Sequence, residues 1–516
     1  MTIRRLFWFV LLPLVLVFVV FPMHLNGYIN PHDEGVWLAT AQAMLEGKRL
    51  YRDIWLQYNP LIPWTVKAVL RMLHPSLSVL RGLFWSLNAL GLLAVSVAAL
   101  RFVRTESLRL LLILFVWMVP SAAFTAMIPM SARYAAGFLP MLFWPLEDTE
   151  GEKSARGSGL WAGILAGVAF WIAQEVGTAA LVAGAAVFAF DHREKSGLLK
   201  YGVGALSILL AGLLFISAYS GLTPYLQAAV FQTAAVVNVE RLPLPAISSG
   251  WLAQTWAGKA PWITLWEKLA EILALYLPAL SLGATLLWSA SGLDRFKGWK
   301  LTSAGIALYG LMAASSAWGR TDRWHIYFSL TPALLLWAFL ADQSLRRGAK
   351  SGPSLVFIFL VSGALVTLPP YLGDKLWQAH FKANQRSTSL VRGGSAELPF
   401  WQANGYEALV GWIQSHVRPG EPILYFPYNG AIYFLADRPN PTRLPILAYA
   451  VRRDMQQQAI HEIDSAHVQW VIWDTENKDF DGIPINRFLS YLSDYLRTHY
   501  AERERLGPFI FMEKKA

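Results

Sequence analysis

Residues 159–190 read GLWAGILAGVAFWIAQEVGTAALVAGAAVFAF, and the way this run divides decides the architecture. One bilayer crossing needs roughly 20 apolar residues, and the run is longer than that. Gln174 and Glu175 sit near its middle. A carboxylate at the bilayer centre costs about 2.5–3.5 kcal/mol on insertion scales. Division into segments 159–173 and 176–190 moves the polar pair to a turn near the membrane surface. Other apolar runs lie at 6–25, 79–100, 108–128, 132–146, 199–219, 266–290, 301–318, 325–341 and 354–372. The divided run brings the total to about 11 segments, some of them short.

The connecting charges support the division. With the N-terminus inside, the returns to the cytoplasm are 101–109 (Arg101, Arg104, Arg109), 147–158 (Lys153, Arg156) and 191–200 (Arg193, Lys195, Lys200). Two more follow at 291–300 (Arg295, Lys297, Lys300) and 342–352 (Arg346, Arg347, Lys350). All are short and basic, as cytoplasmic loops are. A single span at 159–190 would move every later basic loop outside. An odd span count places the C-terminus outside the cytoplasm. The first run follows Arg4 and Arg5, is long, and ends in Phe21-Pro22-Met23-His24 with no small-residue cleavage site. It reads as a retained anchor and not as a signal peptide.

Composition agrees. Of 516 residues, 55% are apolar (AVILMFWYC) and only 15% charged, and mean hydropathy is +0.37. Soluble domains are nearer 25% charged, so a soluble cytosolic enzyme and a disordered chain are excluded. The chain has no cysteine, which excludes disulfides, thiolate metal sites and cysteine nucleophiles. The net charge of +10 raises nucleic acid as a partner, but the basic cytoplasmic loops account for much of it and no nucleic acid is needed. The fold class expected is an α-helical polytopic membrane protein with a small C-terminal α/β extracytoplasmic domain. A transmembrane domain spans 1–372, with a first external loop at 26–78 and a second at 220–265, and the α/β domain spans 373–516.

In the first loop, helices are expected at about 34–46 and 61–73 with a turn at Gly47, and its Trp37, Tyr51, Trp55, Tyr58 and Trp64 suit a membrane interface. The second loop, with Pro224, Pro243, Pro245 and Pro261, reads as a surface loop lying on the membrane. In the tail, helices at about 399–416, 429–436, 447–463 and 485–499 alternate with strands at 423–426, 468–473 and 508–512. It has no glycine-rich phosphate loop.

The leading candidate for chemistry is Asn30-Pro31-His32-Asp33-Glu34-Gly35, just after the first run. A structural reading makes Asn30 an N-cap, Pro31 the first helical residue, and Asp33 and Glu34 acids that complement the helix dipole. A functional reading makes Asp33 a general base, with Glu34 positioning it, a metal or a sugar. Adjacent helical residues do not share a face, so at most one of the two acids aims directly at a substrate. A third acid, Asp53, lies in Tyr51-Arg52-Asp53-Ile54-Trp55, ahead of Tyr58-Asn59-Pro60. A second cluster, Gly319-Arg320-Thr321-Asp322-Arg323-Trp324-His325, occupies a short outside loop. Its arginines suit a phosphate held by charge-assisted hydrogen bonds, or an ordinary Arg–Asp loop. Arg133 and Glu175 fall at the same membrane face. His32 and His325 lack zinc-site spacing, and no Ser-His-Asp, Walker or Rossmann signature is present.

His32-Asp33-Glu34-Gly35, Ala41 to Gly47, Tyr51-Arg52-Asp53 and Pro60-Leu61 together resemble the first external loop of C-type membrane glycosyltransferases. The likeness is to the bacterial branch related to protein O-mannosyltransferases and lipid A aminoarabinose transferases. It extends through the glycine-rich Gly163–Gly167 segment leading to Gln174, the Arg320/Asp322/His325 loop, and a tail containing Tyr433-Phe434-Leu435.

The resemblance implies a polyprenyl-phosphate-linked sugar as donor, an extracytoplasmic lipid, glycan or protein acceptor, and inversion at the anomeric carbon. Asp33 would take the proton from the acceptor hydroxyl, and Glu34 and Asp53 would position substrate or a divalent metal, held by Asp33 or Glu34 if one is used. His32, Tyr58, Arg133, Glu175, Arg320, Asp322, Arg323 and His325 would line the substrate site, with Arg133, Arg320 and Arg323 stabilising the departing phosphate. The implied location is a bacterial inner membrane. Two other classes remain open: a transporter or flippase of lipid-linked sugars, which predicts charges buried within spans and an internal repeat, and a noncatalytic membrane assembly protein of the same fold.

Overall fold

The computed structural model describes residues 26–121, 129–145, 158–191, 196–234, 236, 262–290, 299–320, 323–382, 384–480 and 483–516. The expected first span, 6–25, and most of the second loop, 237–261, lie outside the described residues. Four described helices contain stretches long and apolar enough to cross a membrane: Leu77–Phe102, Gly197–Tyr219, Lys268–Ser289 and Gly352–Pro369.

The 159–190 run divides where its polar pair stands. Helix Gly159–Ile172 ends at Ala173, which is extended, and helix Gln174–Phe190 begins at once. Small residues let the first of these lie against helix Gly197–Tyr219, backbone to backbone. A Cβ on Gly163 would sit 2.0 Å from the Tyr201 carbonyl oxygen, and one on Gly204 would sit 2.3 Å from that of Leu160. Close approach through small residues is how apolar helices associate where no hydrophobic force separates them from lipid. Helix Gln174–Phe190 packs on Trp299–Ala313, which packs on Arg323–Arg346. Helices Trp262–Ala290, Gly352–Lys382 and Glu106–Ser121 complete this group around one apolar core.

Two expected spans take a different form. The 132–146 run is a short helix, Met130–Ala136, and a 3₁₀ turn, Pro140–Phe143. Gly137 separates them, and a Cβ there would meet the Tyr309 hydroxyl at 2.2 Å. The 301–318 run breaks at Ala314 into helices Trp299–Ala313 and Ser315–Gly319.

In the first loop, helices Asp33–Leu45 and Leu61–Met72 stand at the expected places, with Gly47 in the turn at φ 95°. Three of its aromatic residues do not form an interfacial belt: Tyr51, Trp55 and Trp37 are buried, whereas Tyr58 and Trp64 are partly exposed. Composition alone cannot separate the two roles, because a large amphipathic ring suits either a wet interface or a core. Here the buried rings join cores shared with the tail. Trp55 packs on Tyr449, and one core combines Tyr51 and Trp55 with Leu424, Phe426 and Tyr449. A second core combines Trp37, Ile62 and Phe84 with Tyr406, Tyr433 and Phe511.

The tail's main sheet has strand order β3 (Ile423–Phe426), β4 (Trp470–Asp474), β8 (Phe509–Lys514), β7 (Tyr500–Leu506). β3 and β4 are parallel and the other pairs antiparallel. β7 was not anticipated from the sequence, nor were the short pair β1 (Gln385–Ser387) and β2 (Glu397–Pro399) or the pair β5 (Asp479–Phe480) and β6 (Ile483–Pro484). Helix Gly352–Lys382 continues past position 372, where apolar composition ends. The expected helix 447–463 is a 3₁₀ turn, Leu447–Tyr449, followed by helix Arg453–Ser465, and the expected helix 485–499 breaks at Leu489.

Candidate active site

The His32-Asp33-Glu34-Gly35 motif opens helix Asp33–Leu45, and each residue faces a different neighbour. Asn30 caps the helix from outside: its Oδ1 accepts the N–H groups of His32 and Asp33, each at 2.9 Å. The helix therefore begins two residues later than a Pro31 start. Asn30 Nδ2 also donates to Asp33 Oδ2 at 2.9 Å. Asp33 is about a third exposed, at 35%, and His32 Nδ1 lies 3.5 Å from its Oδ1. The His32 ring stands edge-on to Tyr449 and Phe480 of the tail.

Glu34 is fully enclosed. Arg81 grips its carboxylate with a two-pronged pair, Nε to Oε1 at 2.7 Å and Nη2 to Oε2 at 2.8 Å. The same guanidinium donates to the carbonyls of Gly27 and Tyr28. Burial pushes the Glu34 carboxyl above its ordinary range, and the Arg81 charge and hydrogen bonds oppose that shift. Glu34 thus faces away from solvent while Asp33 faces toward it. Gly35 lies against Gly430 at the start of helix Ala431–Ala436.

Asp53 is exposed. Its Oδ2 accepts the Arg49 N–H at 2.9 Å and closes a local turn, and Arg52 Nε lies 3.8 Å from Oδ1. Tyr58, Arg133 and Glu175 come together: the Arg133 guanidinium lies over the Tyr58 ring at 4.5 Å, and its Nη2 is 2.5 Å from Glu175 Oε1. Tyr58 stacks in turn on Trp37, one helical turn beyond Asp33. Near this group the break at Ala173 is braced. Gln174 Nε2 donates to the carbonyl of Gln57 at 3.1 Å, and Asn59 Nδ2 donates to that of Phe170. Tyr225 donates to Asn59 Oδ1 at 2.9 Å. The start of the second loop is therefore helical, Leu222–Leu226 with a π turn Gln227–Gln232, and partly packed instead of lying free on a surface.

Arg320 and His325 are half-buried at the junction of helices Ser315–Gly319 and Arg323–Arg346. Asp322 lies outside the described residues, and for Arg323 only its place as the first helical residue is described. Tyr309, on the preceding helix, donates to the carbonyl of Tyr134 at 3.1 Å, beside Arg133. Among the described residues, no three His, Asp or Glu side chains gather where a metal ion would be held.

Arg81 escaped the sequence reading. The signal was present: a lone cation at the start of the 79–100 run demands a partner. The roles of Asn59 and Tyr225 had no such signal, because neither is unusual in a polar loop.

No family model and no curated protein matches the chain at a significant level. Solved structures do. The structure of ArnT from Cupriavidus metallidurans bound to undecaprenyl phosphate aligns over 98% of this chain and 97% of that one, at 13% identity and a TM-score of 0.52. The apo oligosaccharyltransferase of Archaeoglobus fulgidus aligns over 93% of this chain and 71% of its own, at 13% identity and a TM-score of 0.45. The arabinofuranosyltransferase AftD from Mycobacteria is matched over 40% of its length, with a TM-score of 0.44 and 13% identity. The ArnT alignment, end to end in both chains, gives this protein the fold of that structure.

Proposed function

We propose that this protein is a membrane glycosyltransferase that moves a sugar from a polyprenyl-phosphate donor to an acceptor hydroxyl outside the cytoplasm, with Asp33 as general base. The observation that carries the reading is the division of labour in the acidic pair. Glu34 is locked to Arg81 and closed off, and Asp33 is held by Asn30 at the same helix start with a third of its side chain open. The ArnT structure sharing this fold contains undecaprenyl phosphate, the chemical class of the proposed carrier.

In the reaction, the acceptor oxygen attacks the anomeric carbon from the face opposite the phosphate, and its proton passes to an Asp33 carboxylate oxygen. The bond between the anomeric carbon and the phosphate oxygen breaks, its electrons leave with polyprenyl phosphate, and the configuration inverts. A phosphate leaves without a general acid, so positive charge near its oxygens lowers the barrier. Arg133, fixed by Glu175 and Tyr58, and Arg320 are assigned to that task. Arg323, Asp322 and His325, from the same stretch of sequence, are assigned to the substrate site. Glu34 acts through the helix it anchors, and His32 and Asp53 border the acceptor side.

The about 11 spans, the cytoplasmic N-terminus, the extracytoplasmic tail and the inner-membrane location belong to this reading. So does the division into a transmembrane domain, 1–372, and a tail domain, 373–516.

The test is transfer of radiolabelled sugar from polyprenyl phosphate by membranes carrying wild type or Asp33→Asn. Removing a general base typically costs 10²–10⁴-fold. The variant should lose that much while melting at the wild-type temperature and still binding undecaprenyl phosphate. Full transfer by Asp33→Asn removes the base assignment.

A further inference from the structure

The far end of the helix bundle holds a cavity of about 460 Å³ that the transfer reaction does not use. Its walls come from the end of helix Trp262–Ala290 (Thr285, Trp288), from Trp299, and from the end of helix Arg323–Arg346 (Gln343, Ser344) with Arg347 beyond it. Its place follows from one hydrogen bond. Asp342 Oδ1 accepts the N–H of Thr105, just past the end of helix Leu77–Phe102, whose start carries Arg81. At 1.5 Å per residue, the cavity lies roughly 30 Å along that helix from the Glu34–Arg81 pair.

The chemistry of the walls is amphipathic. Lys300 Nζ lies 4.9 Å above the Trp288 ring, and the Arg347 guanidinium 5.1 Å from the Trp299 ring. Arg346 and Lys350 flank Arg347 in sequence, and among the described residues a nearby carboxylate, Asp342, is buried and turned to Thr105. The Ser344 and Ser351 hydroxyls lie 3.1 Å apart at the rim. Gln343 lines the cavity at 6% exposure, and its Oε1 accepts no hydrogen bond among the described residues. A buried acceptor left unsatisfied is costly, so the site is shaped for a donor. Leu280 and Leu287 on helix Trp262–Ala290 are 69% and 74% exposed, which faces this side of the bundle to acyl chains.

We propose that the cavity binds an anionic phospholipid whose headgroup carries a hydroxyl, of the phosphatidylglycerol class. The phosphate sits between Lys300 and Arg347, the headgroup hydroxyl donates to Gln343 Oε1, and the first acyl carbons lie on Trp288 and Trp299. Choline headgroups offer no donor, and ethanolamine headgroups bring a cation against cations.

The experiment is native mass spectrometry and thermal melting of the full-length protein in detergent. Phosphatidylglycerol, phosphatidylethanolamine and phosphatidylcholine of one chain length are added in turn, with glycerol phosphate as the soluble control. Wild type should retain phosphatidylglycerol and gain thermal stability from it beyond the other lipids. Gln343→Leu and the exposed Arg347→Gln should each weaken that retention about tenfold, and Asp33→Asn should keep it. Arg347→Gln keeps the test decisive if Gln343→Leu folds poorly. The proposal fails if the lipids stabilise equally, if both variants retain phosphatidylglycerol as wild type does, or if glycerol phosphate alone reproduces the shift.

Discussion

Gly35 and Gly430 set how closely the Asp33 helix meets the tail. A Cβ on Gly430 would stand 2.2 Å from the Gly35 carbonyl oxygen, and one on Gly35 would stand 3.0 Å from the Gly430 nitrogen. The first contact is against backbone and has no flexible end to yield, so Gly430→Ala forces the two segments apart. Overpacking of this kind costs about 1–3 kcal/mol. Thermal melts should show Gly430→Ala well below wild type and Gly35→Ala less affected. A second residue-scale expectation concerns Glu407, whose carboxyl is held down to about 2 from an ordinary 4.5 by its hydrogen bonds with Arg386 and Ser389. The unfolded chain takes up that proton first as pH falls. The stabilisation is therefore full above pH 4.5 and lost progressively from there down to about 2. Protection of the amides at residues 386–389, measured against the unstructured exchange rate at the same pH, should fall across that window in wild type, whereas Glu407→Gln should lack this pH-dependent component.

Among the elements, the Glu34–Arg81 pair ties the Asp33 helix to helix Leu77–Phe102, one of the four long apolar helices among the described residues. Removing one partner of a buried pair strands the other, at about 3–5 kcal/mol. Arg81→Met alone should show that loss, and Glu34→Gln with Arg81→Met should recover part of it. A double variant as unstable as the sum of the singles would show that the two groups are not coupled. Arg81 also marks the limit of what the sequence told. The turn at 173 was legible because Gln174 and Glu175 interrupt an apolar run, and β3 was legible because Ile423–Phe426 is a short apolar run after the Arg418-Pro419-Gly420 turn. β7 was not. Its residues Tyr500–Leu506 include Glu502, Arg503, Glu504 and Arg505, most are exposed, and the strand exists by pairing with β8 instead of by burying a face. The short forms of 132–146 and 301–318 were hidden for another reason: apolarity reports burial, and a short helix packed in a core is as apolar as a span.

At the scale of the molecule, the first loop and the tail are one body built from distant sequence. Trp55 N–H donates to the Arg443 carbonyl at 2.7 Å, Arg443 Nη2 donates to that of Tyr51 at 2.9 Å, and Lys48 donates to that of Asn440 at 2.8 Å. The cores on both sides of this seam are shared, so neither half has a full complement of buried surface alone. His32, beside the proposed base, rests on tail residues Tyr449 and Phe480. Composition draws a line near 372, yet the packing places Asp33 on the tail's side of it. Ending the chain at residue 383 should therefore do more than remove an appendage. Trp37, Tyr51 and Trp55, all nearly inaccessible in the intact protein, should become open to quenchers of tryptophan fluorescence and to protease cleavage within 33–60. Sugar transfer should fall to background even though every proposed catalytic residue is retained. A truncated protein with buried Trp37 and Trp55 would show that the first loop folds on the membrane bundle alone, and would return the tail to the status of a separate domain.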